Sequence, residues 1–416
     1  MELKRVVITG LGALTPIGNN VSEYWQGLIN GVSGAGMITR FDASKFKTRF
    51  ACELKGFNVE DHFERKEARK MDPYTHYALV VVKEALADSG LDLDTVDKDR
   101  VGVIWGSGIG GLQTFQEECI AFARGDGTPR FNPFFIPKMI ADIASGHISI
   151  IYGFRGPNYT TVSACASSTN ALIDAFTYIR LGKAKVIVSG GSEAAITEAG
   201  VGGFNACKAL SENNENYSTA SRPFDATRDG FVLGEGAGCL ILEEYEHAKA
   251  RGAKIYAEVM GGGMSADAYH ITAPHPEGIG ARNVMKYALE DAGMTTEDID
   301  YVNVHGTSTP LGDVQESRAI QAVFGAHAYK LNISSTKSMT GHLLGAAGAI
   351  ESIATVLAVK NDIIPPTINF EHADPELDAA LNFTFNKAQS RIVQSAMSNT
   401  FGFGGHNTSA IFKKPE

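Results

Sequence analysis

Three residues far apart in the chain have the side chains that nucleophilic acyl chemistry needs: Cys165, His305 and His342. Cys165 lies in Thr160-Thr161-Val162-Ser163-Ala164-Cys165-Ala166-Ser167-Ser168, where a β-branched run gives way to apolar residues at helical spacing. A thiol at that junction faces the first turn of a helix, whose free N–H groups and positive dipole end favour thiolate. Small neighbours let the backbone turn sharply and let a substrate approach. The competing reading is a buried cysteine acting as a small hydrophobe. The two histidines follow strand-like runs and sit in Gly/Ser/Thr-rich loops, His305-Gly306-Thr307-Ser308-Thr309-Pro310 and Ser338-Met339-Thr340-Gly341-His342. A lone histidine is usually a satisfied polar group. Two in such loops, beside an elbow cysteine, point to covalent acyl transfer.

The elements that must bring these loops together alternate between strand and helix. Val101–Trp105 and Lys185–Gly191 read as strands ending in glycines. Helical periodicity covers 73–89, 166–181, 280–292 and 345–360. Such alternation predicts an α/β fold with mostly parallel central strands. A faint internal repeat accompanies it. Thr161–Ile179 and Ser335–Leu357 each run from strand end through a reactive elbow into an alanine-rich helix. Gly230–Leu242 and Thr400–Phe412 are both glycine-rich turns feeding an apolar strand. The chain therefore reads as two related halves, 1–250 with the cysteine and 251–416 with both histidines, meeting at a shared interface. Coincidence among short α/β units is the alternative.

Bulk composition narrows the function further. The 416 residues are 44% hydrophobic and 20% charged, ordinary globular values with material for a large core. A net charge of −10 argues against general nucleic-acid binding. The five cysteines form no CxxC pair, so neither a disulfide framework nor a zinc site is expected. Met1 leads directly into a strand without a secretory pattern, and no apolar run approaches the roughly 20 residues of a membrane span. A cytoplasmic protein without membrane contact is the expectation. The glycine cluster Gly106–Gly111 is weak evidence for a nucleotide on its own, and a Walker A sequence is absent.

Six motifs, taken in order, carry a resemblance over nearly the whole chain. They are Ser163–Ser168, Arg222-Pro223-Phe224-Asp225 with Arg228-Asp229-Gly230-Phe231, Gly234-Glu235-Gly236-Ala237-Gly238, His305–Pro310, Lys337–His342 and Asn399–Gly405. The sequence resembles the condensing enzymes of the thiolase-like superfamily, specifically the elongating β-ketoacyl-[acyl-carrier-protein] synthases. The resemblance implies a five-layered αβαβα thiolase-like fold from two duplicated halves, and a homodimer. It also implies decarboxylative Claisen condensation. An acyl chain moves from acyl carrier protein to Cys165, and malonyl-carrier protein then extends it by two carbons. No cofactor is required, because phosphopantetheine arrives on the carrier.

The same resemblance assigns roles to residues. Backbone N–H groups of Cys165 and Phe403 would hold an oxyanion, worth roughly 3–4 kcal/mol, and Phe403 would gate the order of substrates. His305 and His342 would stabilise the enolate. A histidine at 342, where initiating synthases carry asparagine, favours the elongating class. Lys337 would pair with Glu316 and orient the histidines, unless it is a solvated lysine. Asp313 is given a helix-capping, structural role. Thr307 and Thr309 would bind the phosphopantetheine amides, with loop self-capping as the rival for Thr309. Ile109 would line the acyl pocket or simply pack in the core. Asn303, Val304, Glu351, Ser398 and Asn399 would hold a structural Na or K ion. Lys66, Arg69 and Lys70, extended by Lys208, form a basic patch that would dock the acidic carrier, or a solvated helix face. His406 departs from the family, where many relatives carry Thr, and places a titratable ring beside the oxyanion loop. The rival functions are a polyketide-type ketosynthase, a noncatalytic chain-length partner, which would lack the cysteine, and a cysteine hydrolase.

Overall fold

The computed structural model describes residues 3–415. Its first half runs β1 (Val6–Leu14), α1 (Pro73–Ser89), β2 (Val101–Gly106), α2 (Leu112–Arg124), α3 (Ile143–Tyr152), β3 (Asn158–Thr161), α4 (Ser167–Arg180), β4 (Val186–Glu193), α5 (Glu198–Ala206) and β5 (Gly236–Glu244). The second runs β6 (Ala257–Ala266), α6 (Ile279–Ala292), β7 (Tyr301–Asn303), α7 (Pro310–Phe324), β8 (Asn332–Ser334), α8 (Ala347–Asn361), β9 (Ser395–Gly402) and β10 (His406–Lys413). Local chemistry explains several boundaries. Asp72 caps α1 by accepting the Tyr74 N–H, Pro73 fills its first position, and Gly90 stops it at φ +60°.

All ten strands join in one sheet, ordered β8-β7-β9-β10-β6-β1-β5-β4-β2-β3. Read outward from the centre, each strand of the first half matches the strand five positions later in the second. The pairing directions match too. β1·β5 and β5·β4 are antiparallel, and β4·β2 and β2·β3 are parallel. β6·β10 and β10·β9 are antiparallel, and β9·β7 and β7·β8 are parallel. The halves are stitched by β1·β6 through Val6–Ile8 and Ala257–Val259. The expectation of mostly parallel central strands is corrected here: the innermost strands are antiparallel. β9 returns directly as β10 through the three-residue turn Phe403-Gly404-Gly405, and a tight turn can only join antiparallel neighbours.

Helices complete five layers. α1 and α3 cover the outer face of the first half, α6 and α7 that of the second, and α4 and α8 fill the space between. α8 is buried at every position from Ala347 to Val359, and the one charged side chain in that span, Glu351, is paired with Lys337. Each fully buried Ile, Val or Leu on it contributes roughly 1.5–3 kcal/mol. α4 and α8 approach so closely that a Cβ added at Gly348 would lie 2.0 Å from Thr169 Oγ1. Their first turns also touch: the Ala349 N–H donates to Ser168 Oγ at 2.9 Å. The two elbows preceding these helices, although 177 residues apart, are thereby set side by side.

Candidate active site

Cys165 lies two residues before α4, buried with 9% exposure. Its elbow is held by Ser167, whose hydroxyl donates to the Ala164 carbonyl at 2.6 Å and accepts the Ser163 N–H at 3.0 Å. Ala164 takes φ +50°, left-handed for a residue with a Cβ, which aims the next side chain away from the strand. His342 presents Nε2 to Cys165 Sγ at 3.1 Å. Its backbone is clamped by the Gly230–Gly234 motif, donating to Val232 O at 2.7 Å and accepting from the Gly234 N–H at 2.9 Å. The His305 and His342 ring centroids are 5.3 Å apart at 85°. Phe231 packs edge-on to His342 and Phe401 lies 5.7 Å from His305. Among the described residues neither Nδ1 has a hydrogen-bond partner.

The electrostatics differ from the expected thiolate. Burial pushes the Cys165 thiol up to about 12, against the opposing pull of Lys337 and of the Phe403 and Cys165 N–H groups. Desolvation wins because the sulfur sits below the surface while α4 starts only at Ser167. Burial first, then the Lys337 charge, also hold both imidazoles well below their ordinary range. The resting pair is thus a thiol facing a neutral ring.

Lys337 is 1% exposed and pairs with Glu351 of α8. Its expected pairing with Glu316 is corrected. Glu316 spends its two oxygens on the His305 and Gly306 N–H groups, at 2.9 and 2.8 Å, and so holds the histidine loop from behind. Glu351 and Glu316 are both raised by burial to about 7, with Lys337 opposing. Asp313 accepts from the Phe224 and Ser308 N–H groups and faces Arg228 at 3.4 Å. It fastens the histidine loop to the Arg222–Gly230 segment. Ser308, at φ +68°, sits between Thr307 and Thr309, whose hydroxyls are 3.0 Å apart.

These groups line a cleft of about 530 Å³ containing Cys165, His305, His342, Thr307, Thr309, Phe403 and Lys208. Gly402 lets the hairpin turn reach the elbow: a Cβ there would stand 2.8 Å from Ser163 O and 3.1 Å from Cys165 N. Gly404 and Gly405 supply φ +89° and +73°. Not every expected residue gathers here. Ile109 is 40% exposed and does not line the cleft. Lys66, Arg69 and Lys70 do not line the cleft, and Lys70 is paired with Glu67 at 2.7 Å. His406 packs its ring over Gly404, within 2.8 Å of where a Cβ would be, and does not face the cleft.

The residues expected to hold a cation form a buried group. Asn303 Oδ1, Ser398 Oγ and Asn399 Oδ1 are buried oxygens without partners, and Asn303 and Ser398 are register neighbours on β7 and β9. Such oxygens suit a hard monovalent ion. Among the described residues no group of three His, Cys, Asp or Glu could bind a metal. Sequence reasoning missed Glu193 at the end of β4; an acid directly after Gly190-Gly191-Ser192 was its only signal. Among the described residues no helix is long and apolar enough to cross a membrane.

Comparison with known proteins agrees with this geometry. The family models for the β-ketoacyl synthase N-terminal and C-terminal domains match residues 3–248 and 256–371. A 3-oxoacyl-[acyl-carrier-protein] synthase 2 of Synechocystis sp. is 51% identical over 414 residues, covering 100% of this chain and 99% of the relative. A solved β-ketoacyl synthase from Burkholderia phymatum superposes with TM-score 0.92 at 37% identity, over 99% of this chain and 100% of the other. A type II polyketide ketosynthase, solved in complex with its acyl-carrier protein, superposes with TM-score 0.90 at 33% identity over the full length of both chains. With a cysteine and two histidines converging in one cleft, and likeness over its whole length, the chain belongs to the β-ketoacyl synthase family.

Proposed function

We propose that this chain is an elongating 3-oxoacyl-[acyl-carrier-protein] synthase in which Cys165 carries the acyl chain. The observation that carries the reading is the 3.1 Å contact between Cys165 Sγ and His342 Nε2, with His305 behind it. As sulfur attacks the carrier thioester, its proton passes to His342, and the oxyanion meets the N–H groups of Cys165 and Phe403. The C–S bond to phosphopantetheine breaks, and that sulfur takes the proton. Malonyl-carrier protein then enters along Thr307 and Thr309. Loss of CO₂ leaves an enolate whose oxygen receives N–H donation from the two imidazoles. Its carbon attacks the Cys165 thioester, the C–S bond breaks with release of the 3-oxoacyl product, and the leaving sulfur takes up a proton from solvent to restore the thiol. A neutral imidazole suits both steps, since a protonated one could not accept the thiol proton. Burial, with the Lys337 charge adding to it, keeps both rings neutral.

The basic residues Lys66, Arg69, Lys70 and Lys208 are the docking surface we assign to an acidic acyl carrier protein. Asn303, Val304, Ser398, Asn399 and Glu351 would hold a Na or K ion that fixes the floor of the site. The boundary between halves is placed at 250/251. A homodimer is supported by the uncovered apolar surface beside edge strand β3: Val162 is 61% and Ile150 78% exposed, with Ile136 and Phe134 nearby in the chain. A cytoplasmic location follows from the pathway. Mass spectrometry after mixing with acyl-carrier protein tests the reading. A synthase holds the acyl group on Cys165 until malonyl-carrier protein is added, and Cys165→Ala holds none. Release of free acid would mark a hydrolase, and no adduct would mark a binding subunit.

A further inference from the structure

Glu193 is fully buried at the end of β4, and no cation pairs with it among the described residues. A charge so placed is costly unless every lone pair is used. Five donors converge on it. Oε1 accepts from the Ser107 hydroxyl at 3.3 Å and from the Ile109 and Gly110 N–H groups at 3.1 and 3.3 Å. Oε2 accepts from the Gly108 N–H at 2.8 Å and the Gly345 N–H at 3.0 Å. The two loops it joins flank the reactive pair. Gly108 lies against the elbow: a Cβ there would stand 3.2 Å from Ala164 O. Gly345 is three residues past His342, and the intervening Leu344 is held at φ +49°. Both left-handed alanyl and leucyl positions thus adjoin the segments this carboxylate grips. No side chain fits between them, since a Cβ at Gly345 would reach 2.2 Å from Gly108 N and 2.6 Å from Glu193 Oε2.

We propose that Glu193 is a positioning residue that ties the Ser107–Gly110 loop to the turn after His342 and so fixes His342 against Cys165. The ionised form is the working form. A protonated carboxyl presents an O–H toward donors that need acceptors, and one loop is released. Burial raises this carboxyl to about 7, with the four N–H groups opposing. The titratable groups that share its field are Cys165 and Tyr74. Both titrate far above neutrality, so neither supplies a second inflection there; Glu316 and Glu351, also raised to about 7 by burial, act at His305 and Lys337 and add a contribution that every Glu193 variant keeps.

The inference rests on the acyl-transfer reading of Cys165, and its test separates the two. Single-turnover loading of Cys165 from acyl-carrier protein is followed by mass spectrometry between pH 5.5 and 8.5, with thermal melting of each variant alongside. The wild type is expected to load more slowly as pH falls through about 7. Glu193→Gln has an amide N–H facing Gly108 and Gly345. It should load on the order of 100-fold more slowly at pH 8, with the inflection reduced to the part that Glu316 and Glu351 supply. Glu193→Asp keeps the charge and shortens the reach; its loading should fall while the inflection stays. An unchanged inflection in Glu193→Gln, or a wild-type loading rate in Glu193→Asp, overturns the proposal. If Glu193→Gln does not fold, Glu193→Asp alone decides. Failure of the wild type to load at all would instead overturn the acyl-transfer reading.

Discussion

Gly348→Ala tests whether the α4–α8 contact sets the reactive geometry. The new Cβ would begin 2.0 Å from Thr169 Oγ1 and 3.0 Å from Thr169 N, whereas ordinary contact starts near 3.4 Å. The helices must therefore part by about 1.4 Å, or Thr169 must leave its 3.1 Å contact with Thr400 Oγ1. Overpacking of this kind costs about 1–3 kcal/mol. Cys165 precedes Thr169 by four residues and His342 precedes Gly348 by six, so an opening of that size acts directly on their 3.1 Å separation. A misplacement near 1 Å costs on the order of 100-fold in rate. Stopped-flow loading and thermal melting of Gly348→Ala, Thr169→Ala and the double variant give the coupling between the two positions. The double variant should recover much of the lost loading, because removing the hydroxyl leaves only the gentler contacts with the residue 169 N at 3.0 Å and Cβ at 3.1 Å. Wild-type melting and loading in Gly348→Ala, or strict additivity in the cycle, would refute the argument.

Lys337→Met leaves the Glu351 carboxylate without its counter-charge, a loss of about 3–5 kcal/mol where that carboxyl is ionised. Glu351 is already raised from its ordinary range to about 7, and loss of the lysine raises it further. The deficit in melting temperature relative to wild type should therefore be small at pH 6 and grow toward pH 9; a deficit that shrinks with rising pH would contradict the pairing. Potassium or sodium chloride should stabilise the wild type more than Ser398→Ala or Asn399→Leu at equal ionic strength; equal gains in all three would remove the cation site. Charge reversal at Lys66, Arg69 and Lys70 together should raise KM for carrier-linked substrate and flatten its salt dependence, with kcat retained. An unchanged KM would leave those lysines and the arginine as solvated surface.

Much of this architecture was legible because its signals were local. The Asp72-Pro73 start and Gly90 stop delimit α1 to the residue, and the glycine turn 402–405 announces a hairpin whose tip must come close to something. Where the physics was not local, reading along the chain failed. α8 starts two residues late because Leu344–Ala346 form a 3-10 turn around a left-handed Leu344 that no spacing reveals. The resemblance paired Lys337 with Glu316, and nothing in the spacing of Lys337 pointed to Glu351. The choice was settled by α8, which carries Glu351 under the short helix Lys337–Thr340. Glu193 is an acid at a strand end, and nothing local in the sequence marks it as buried. Only the meeting of two glycine loops makes it a buried hub. The Cys165 ionisation was misjudged for the same reason: a helix start is visible in sequence, but the depth of the pocket is not.

The continuous burial of α8 has a consequence for how the chain is made. A ribosome completes α4 about 180 residues before Asn361, the last residue of α8, so at 5–20 residues per second the inner face of α4 waits roughly 10–35 s for its partner. During that interval the half bearing the nucleophile exposes a surface meant for a helix not yet synthesised. Translation speed and chaperone supply, rather than the stability of the finished molecule, then govern the yield of active protein in a host.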